Sequence, residues 1–226
     1  MTQKQEIFTL MGGRVRFNRG RYNPTCDAVW LAAAAAPYAN GTVLDVGVGT
    51  GGVALCLMSN ARDARVTGVD TSPQMLDECA QNMALNGRDI ELINADILSW
   101  RTARTFDLVV SNPPYFKGTP AAHNAHHNTD LAQWTRKCVA RTRPHGTFIT
   151  IVDAGVAATV IAAMTPTCGG IQIIPLFGAK NTAERVLISG RVGVHSPTVL
   201  HRGFAMNTDA ILRDGLTIAD VLSTLD

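Results

Sequence analysis

From residue 41 onward, short apolar and β-branched runs alternate with longer stretches whose apolar residues recur at helical spacing. GTVLDVG (41–47) predicts a strand running into a glycine loop, and GGVALCLMSNA (51–61) predicts an apolar-faced helix. ARVTGVD (64–70) is the next strand. In SPQMLDECAQNMALNG (72–87), Ser72 stands at the cap, Pro73 at the first helical position and Gly87 just past the end, an asymmetry that marks a helix. IELINAD (90–96) and FDLVVSN (106–112) predict the third and fourth strands. TDLAQWTRKCVARTRP (129–144) predicts a helix, GTFITIV (146–152) a strand and VAATVIAAMT (156–165) another helix. IQIIPL (171–176) and RVLISGRV (185–192) complete the strands.

Strands interleaved with helices imply parallel crossovers, hence an α/β fold with a mostly parallel sheet covered on both faces. The last two strands lack a helix-length connection, so an antiparallel edge strand is expected. Residues 1–40 are expected to form an N-terminal extension packed on the domain; it includes an Ala-rich helix, LAAAAAPY (31–38), stopped by Pro37. No repeat or linker divides the rest, so 41–226 reads as one globular unit. The tail after Gly193 carries the weakest pattern.

Composition narrows the function classes. The start, MTQKQEIFTLMGG, lacks the apolar centre of a signal peptide, and no apolar run approaches the roughly 20 residues that span a membrane. The five cysteines include no CxxC pair, so neither a zinc site nor a disulfide framework is expected, and a reduced, cytoplasmic setting fits. A net charge of +2 does not by itself mark a nucleic-acid binder. Its distribution says more: Arg14, Arg16, Arg19 and Arg21 cluster before the first strand, and Arg136, Lys137, Arg141, Arg143 and His145 surround a later helix end. Either group reads as solvated surface, the second favoured by a helix C-terminus, or as a set of phosphate contacts. His123, His126 and His127 share a polar loop without a spaced Cys or carboxylate, so a substrate-contacting or moving loop is expected there and no metal.

Candidate chemistry starts at the first glycine loop. Asp45-Val46-Gly47-Val48-Gly49-Thr50-Gly51 follows a strand and opens a helix, and its glycines let the backbone turn tightly and approach a ligand. A dinucleotide loop would read GxGxxG. Here the pattern is DxGxGxG, and an acid two positions before the first glycine suits a zwitterionic or cationic ligand better than a pyrophosphate. Asp70 ends the next strand, placed to accept from the two hydroxyls of a ribose. Asp96 ends the third and could accept from an adenine amino group. Each aspartate alone would pass for a loop or cap residue; three acids at successive strand ends beside a glycine loop point to a nucleoside.

These features resemble the class I S-adenosylmethionine-dependent methyltransferases, whose first motif is DxGxGxG and whose second is an acidic strand end. The resemblance implies a Rossmann-like, seven-stranded sheet with S-adenosylmethionine across the strand tips. It also implies that Gly47, Gly49 and Gly51 line the cofactor, Asp45 neighbours its methionyl part, Asp70 binds ribose, and Asp96 with Ile97 holds adenine.

The fourth strand stops abruptly in SNPPYF (111–116), because neither proline can donate to a ladder. Asn112-Pro113-Pro114-Tyr115 is similar to the NPPY motif of amino-methyltransferases, which act on adenine, cytosine, guanine or glutamine nitrogens. The residue types suit that chemistry. An exocyclic amine is a poor nucleophile while its lone pair is delocalised; the Asn112 side-chain oxygen and the Pro113 carbonyl can each accept one N–H and turn the lone pair toward a methyl donor. Pro113 and Pro114 stiffen the corner, Tyr115 can stack on the planar target, and Phe116 is either an apolar wall or core.

RFNRGRYNPTCDAVWLAAAAA and ERVLISG extend the resemblance to the bacterial valine-tRNA adenine-N6 methyltransferases and their close relatives, from about Phe17 to Gly190. By that likeness Arg21, Thr25 and Asp27 close over cofactor and substrate, although Pro24-Thr25-Cys26-Asp27 replaces the family's contiguous Gly-Thr-Asp. Arg14, Arg16, Arg19 and Arg21 then become candidate RNA contacts. The expected activity is methylation of adenine N6 in a structured RNA such as tRNA. A protein glutamine N5-methyltransferase and an rRNA guanine or adenine enzyme are the alternatives. The 44 residues before Asp45 are fewer than the helical domain that usually precedes the motif in the glutamine enzymes, and a DNA enzyme would normally need a target-recognition domain. A non-catalytic cofactor-binding module would be expected to lose the asparagine or a glycine, and both are intact.

Overall fold

Inward and outward side chains alternate along the central strands, and both sets are apolar, so the sheet must be covered on both sides. The computed structural model describes residues 6–20, 22–113 and 124–223, and for 124–130 and 222 the backbone alone. Its central strands are β3 (Thr42–Val46), β4 (Arg65–Asp70), β5 (Glu91–Asn94), β6 (Phe106–Ser111), β7 (Thr142–Asp153), β8 (Cys168–Phe177) and β9 (Ala183–Val192). They lie in the order β8-β9-β7-β6-β3-β4-β5. Val43, Leu108, Val110, Ile149 and Ile151 point into one apolar cluster, and Leu44, Val46, Val109, Phe148 and Val152 into the other.

The helices divide accordingly. α1 (Cys26–Ala35) and α2 (Gly52–Asn60) supply most of the first cluster, joined by Leu76, Cys79 and Met83 of α3 (Pro73–Leu85). α4 (Asn124–Arg141) and α5 (Ala157–Met164) cover the other face. α1 is apolar on nearly every side and correspondingly buried, as a helix hydrophobic all round must be. Its Trp30 is fully enclosed and donates its indole N–H to the Met206 carbonyl at 3.1 Å. Cys56, Cys79, Cys138 and Cys168 are buried, Cys26 partly so, and all are free thiols. No described helix is long and apolar enough to cross a membrane.

β3, β4, β5, β6 and β7 run parallel, as expected. The antiparallel strand is β9, and it lies between β7 and β8 instead of at the rim. The short link between Phe177 and Ala183 forces β9 to return alongside β8, whereas the crossover through α5 is long enough to carry β8 one position outward. Two additions widen the seven-stranded core: β10 (Val199–Leu200) and β11 (Phe204–Ala205) both pair with the outer edge of β8. The tail ends in α6 (Asp209–Leu212) and α7 (Ile218–Ser223), whose Ile211 and Ile218 join the first cluster.

Before α1 the chain forms a hairpin of β1 (Ile7–Leu10) and β2 (Val15–Asn18). α3 and the residue that caps its end hold it: the Arg16 and Asn18 amides donate to the side-chain oxygens of Asn86 and Asn82, each at 2.9 Å. The hairpin thus fixes where the chain enters the segment that leads to α1.

Candidate active site

Parallel strands leave their loops at one rim, and here the tips of β3, β4 and β6 frame a cavity of ≈ 540 Å³. Val46, Gly47, Val48 and Gly49 form its floor. Gly47, Gly49 and Gly51 have φ of 76°, 53° and 89°, backbone that β-branched or bulky residues avoid. The Gly47 and Val48 amides donate to the Val69 carbonyl at 2.8 and 3.1 Å, tying the loop to the end of β4.

Asp70 closes β4 at the cavity wall. Its Oδ2 accepts the Gly49 amide and its Oδ1 the Ser72 amide, both at 2.9 Å. A carboxylate has about four acceptor positions, so each oxygen retains capacity for a ligand hydroxyl. Val69, Met75, Ala95 and Ile97 add an apolar slot beside it.

Asp45 lies lower. It is 1 % exposed, sits behind the floor and not on the cavity wall, and neither oxygen has a hydrogen-bond partner among the described residues. Burial pushes its carboxyl up to about 7; the Ala54 backbone N–H opposes the rise without a hydrogen bond of normal geometry, and Asp70 adds to it. Cys79 lies close enough to feel both acids, and burial first, then Asp45 and Asp70, push it up to about 12. It stays a protonated thiol at neutral pH and is no nucleophile.

On the β6 side, Asn112 and Pro113 line the cavity. The Asn112 side-chain oxygen is buried and unpartnered among the described residues. The strand beneath is pinned: Ser111, 0 % exposed, donates its hydroxyl to the Val46 carbonyl at 3.0 Å and accepts the Trp134 indole N–H at 2.9 Å. Its own carbonyl accepts the Thr150 hydroxyl at 2.8 Å.

The remaining wall comes from the N-terminal segment: Tyr22, Asn23, Pro24, Thr25 and Ala28. Asn23 clamps the approach by exchanging two hydrogen bonds with the Gly20 backbone, at 3.0 and 3.1 Å.

The structure therefore brings Gly47, Gly49, Asp70, Ile97, Thr25, Asn112 and Pro113 to one cavity. Other expected site residues lie elsewhere. Gly51 caps α2 against Cys79 and Met83. Asp96 is exposed and turned to the Leu98 amide at 2.9 Å, while its neighbours Ala95 and Ile97 form the wall. Asp27 is buried off the cavity, where its Oδ2 meets Arg185 Nε at 3.2 Å; Arg185 also reaches Asp153. Arg14, Arg16 and Arg19 stand on or beside the hairpin, outside the cavity. Arg21, Pro114, Tyr115, Phe116 and His123, with the side chains of His126 and His127, lie outside the described residues. Among the described residues no cluster of three His, Cys, Asp or Glu side chains could hold a metal ion.

Tyr22, Pro24, Met75 and Trp134 carried no pattern that marked them as cavity residues. For Trp134 one signal existed: it precedes Cys138 by four, on the helix face that packs on the strand tips.

A family model described as a methyltransferase domain matches residues 43–146. A tRNA1(Val) (adenine(37)-N6)-methyltransferase from Glaesserella parasuis is 33% identical over 142 residues, 57% of this chain and 59% of the relative. A release factor glutamine methyltransferase from Deinococcus radiodurans is 41% identical over 96 residues, 40% of this chain and 33% of the relative. The chain thus spans less than two thirds of each of these relatives. Among solved structures, a predicted O-methyltransferase from Agrobacterium tumefaciens superposes with a TM-score of 0.66 at 23% identity, over 80% of this chain and 88% of the other. The N-methyltransferase NodS from Bradyrhizobium japonicum, in complex with S-adenosyl-L-homocysteine, gives 0.56 at 21% identity over 73% and 84%. The residues present fit S-adenosylmethionine: a glycine floor, an amide-oriented carboxylate for hydroxyls, an apolar slot for a flat ring, and an unpartnered amide oxygen on the same wall. The chain shares the fold of the class I, S-adenosylmethionine-dependent methyltransferases, matches a methyltransferase-domain model over 43–146, and resembles the bacterial tRNA1(Val) adenine-N6 enzymes among the amino-methyltransferases.

Proposed function

We propose that this protein methylates an exocyclic amine, adenine N6 in a structured RNA such as tRNA. The observation that carries the reading is the Asn112 side-chain oxygen, buried without a partner among the described residues on the wall of the cofactor cavity. A buried acceptor left unsatisfied is destabilising by about 1–3 kcal/mol, so its retention at this corner calls for a ligand N–H. The tRNA1(Val) adenine relative supports the choice of acceptor.

When bound, S-adenosylmethionine supplies an electrophilic methyl group. Asn112 Oδ1 accepts one N–H of the target amine and the Pro113 carbonyl accepts the other, which turns the nitrogen lone pair out of conjugation. Because both groups are acceptors, they stabilise the positive charge that grows on nitrogen, and they are in place before the substrate arrives. No base is needed ahead of attack, since the amine proton becomes acidic only once nitrogen carries the new bond; it then leaves to solvent. Pro113 holds φ at the corner and so limits the search for the reacting geometry. Tyr115, the last residue of the motif, is given the stacking role toward an unstacked base. Asp70 binds the ribose hydroxyls and Ile97 packs on adenine, and Thr25 lines the same cavity.

The glutamine reading draws its support from the 41% identity of the Deinococcus radiodurans relative, over a shorter stretch. Labelled-methyl transfer into total tRNA, total rRNA and a protein extract separates the two. Label in N6-methyladenosine of tRNA is the expected outcome, and label found only in glutamine overturns it. Asn112→Ala should lower kcat by about 100-fold or more while S-adenosylhomocysteine still binds. Near-normal turnover by that variant would remove the role given to the corner.

A further inference from the structure

β6 makes its last ladder pairs at Ser111, with Val46 on one side and Thr150 on the other. Beyond it the backbone has no such support, and Pro113 has no N–H to offer. The position of Asn112 is therefore inherited from Ser111. Beside the ladder, side-chain bonds among the described residues hold Ser111: its hydroxyl to the β3 carbonyl of Val46, the Thr150 hydroxyl to its carbonyl, and the Trp134 indole N–H to its hydroxyl oxygen, with the Cys138 thiol beside that hydroxyl. The first two come from strands. The third comes from α4, on the covering layer, and its donor is the same side chain that forms cavity wall beside Gly47. A side chain at Gly47 would meet the Trp134 ring at 3.4 Å, so the ring closes over the glycine floor.

We infer that Trp134 is a positioning residue for methyl transfer: its indole N–H, through Ser111, sets where the Asn112 acceptor stands relative to the cofactor. The inference rests on the proposed role of Asn112. Ring and N–H have separable duties. The ring fills wall space and contributes to cofactor binding, whereas the N–H aims the corner. Trp134→Phe removes the N–H and keeps an aromatic wall; Ser111→Ala removes the acceptor and keeps the indole.

Two readouts test this. In turnover, Trp134→Phe is expected to lower kcat about 10- to 100-fold, the scale of a misplaced reacting group. The Kd for S-adenosylhomocysteine should stay within about threefold, under 1 kcal/mol. Trp134→Phe added to Ser111→Ala should be little worse than Ser111→Ala alone, because the serine change already cuts the indole connection, together with the bond to Val46. The second readout needs no acceptor. The Asn112 side-chain amide signal, identified in a ¹⁵N spectrum by its loss in Asn112→Ala, should move in Trp134→Phe and stay in a Trp100→Phe control. Unchanged kcat, a parallel loss of turnover and S-adenosylhomocysteine affinity, or an unmoved Asn112 signal overturns the inference. Should the wild type methylate no RNA, the proposed acceptor fails, and the Asn112 signal still decides the part given to Trp134.

Discussion

Asp45 and Asn112 both bury side-chain oxygens without partners among the described residues, yet their surroundings differ. Asn112 stands on the cavity wall, where in the proposed reaction its neutral oxygen accepts an N–H. Asp45 stands behind the glycine floor, where its charge meets low dielectric and the neighbouring Asp70. Its folded value of about 7 lies above the roughly 3.9 of an unfolded aspartate, so the native state holds the proton longer. Stability without ligand should therefore fall as pH rises between about 4.5 and 7, by up to about 1.4 kcal/mol per pH unit. Glu91, Asp107 and Asp220 do not mask this: their folded values are lowered, so their contributions fade only under acid conditions, below the unfolded carboxyl range. In Asp45→Asn the slope in denaturant midpoint across that window should flatten, and the variant should be the more stable protein at pH 8. A slope that survives the substitution places the titrating group elsewhere.

At the scale of elements, the N-terminal wall is set by the contact of α1 with α2. A Cβ on Gly52 would come 2.6 Å from Pro24 Cβ and 3.3 Å from Ala28 Cβ, both on residues that line the cavity. Gly52→Ala must push that wall away, at a loss of about 1–3 kcal/mol, and should weaken S-adenosylhomocysteine binding with it. Gly87→Ala is the control: its φ of +63° strains a side chain, but no atom stands within 4 Å, so Tm should fall while affinity holds. The βα elements from β3 to β9 were legible because their apolar periods and caps act locally. The β1–β2 hairpin was not, since four-residue strands around Met-Gly-Gly carry too few alternations and are fixed by Asn82 and Asn86 far along the chain. β10 and β11 escaped for the same reason. At the site, Gly47, Gly49, Asp70, Asn112 and Pro113 announced themselves by residue type and spacing. Trp134 did not, because an aromatic on the packed face of a helix has the pattern of ordinary core. Asp27 reads as a site acid in sequence, and only the fold brings Arg185 of β9 to it.

For the whole molecule, the open matter is how a protein of net charge +2 would engage a polyanion. The hairpin offers a route. Arg14, Arg16 and Arg19 are all exposed on or beside it, and within a few residues β2 leads to Tyr22 and Thr25 on the cavity wall. Each arginine has a local bond: Arg14 to the Met11 carbonyl at 3.2 Å, Arg16 to the Leu85 carbonyl at 2.8 Å, and Arg19 to Glu6 at 3.2 Å. A guanidinium has five N–H donors, so these bonds orient the side chains and leave most donors for phosphate. Arg19 is the weakest candidate, because Glu6 already offsets its charge. Replacing Arg14, Arg16 and Arg19 together by Gln should weaken RNA binding and flatten the dependence of log Kd on log salt by about 2, roughly 0.7–0.9 for each phosphate no longer neutralised. S-adenosylhomocysteine affinity should not change, since none of the three lines the cavity. Replacing Arg136 and Lys137 on α4 tests the other basic group in the same titration. If the hairpin variant keeps its slope and the α4 variant loses it, the RNA approaches over α4; if neither slope moves, the basic clusters are solvated surface and the substrate is held at the cavity mouth alone.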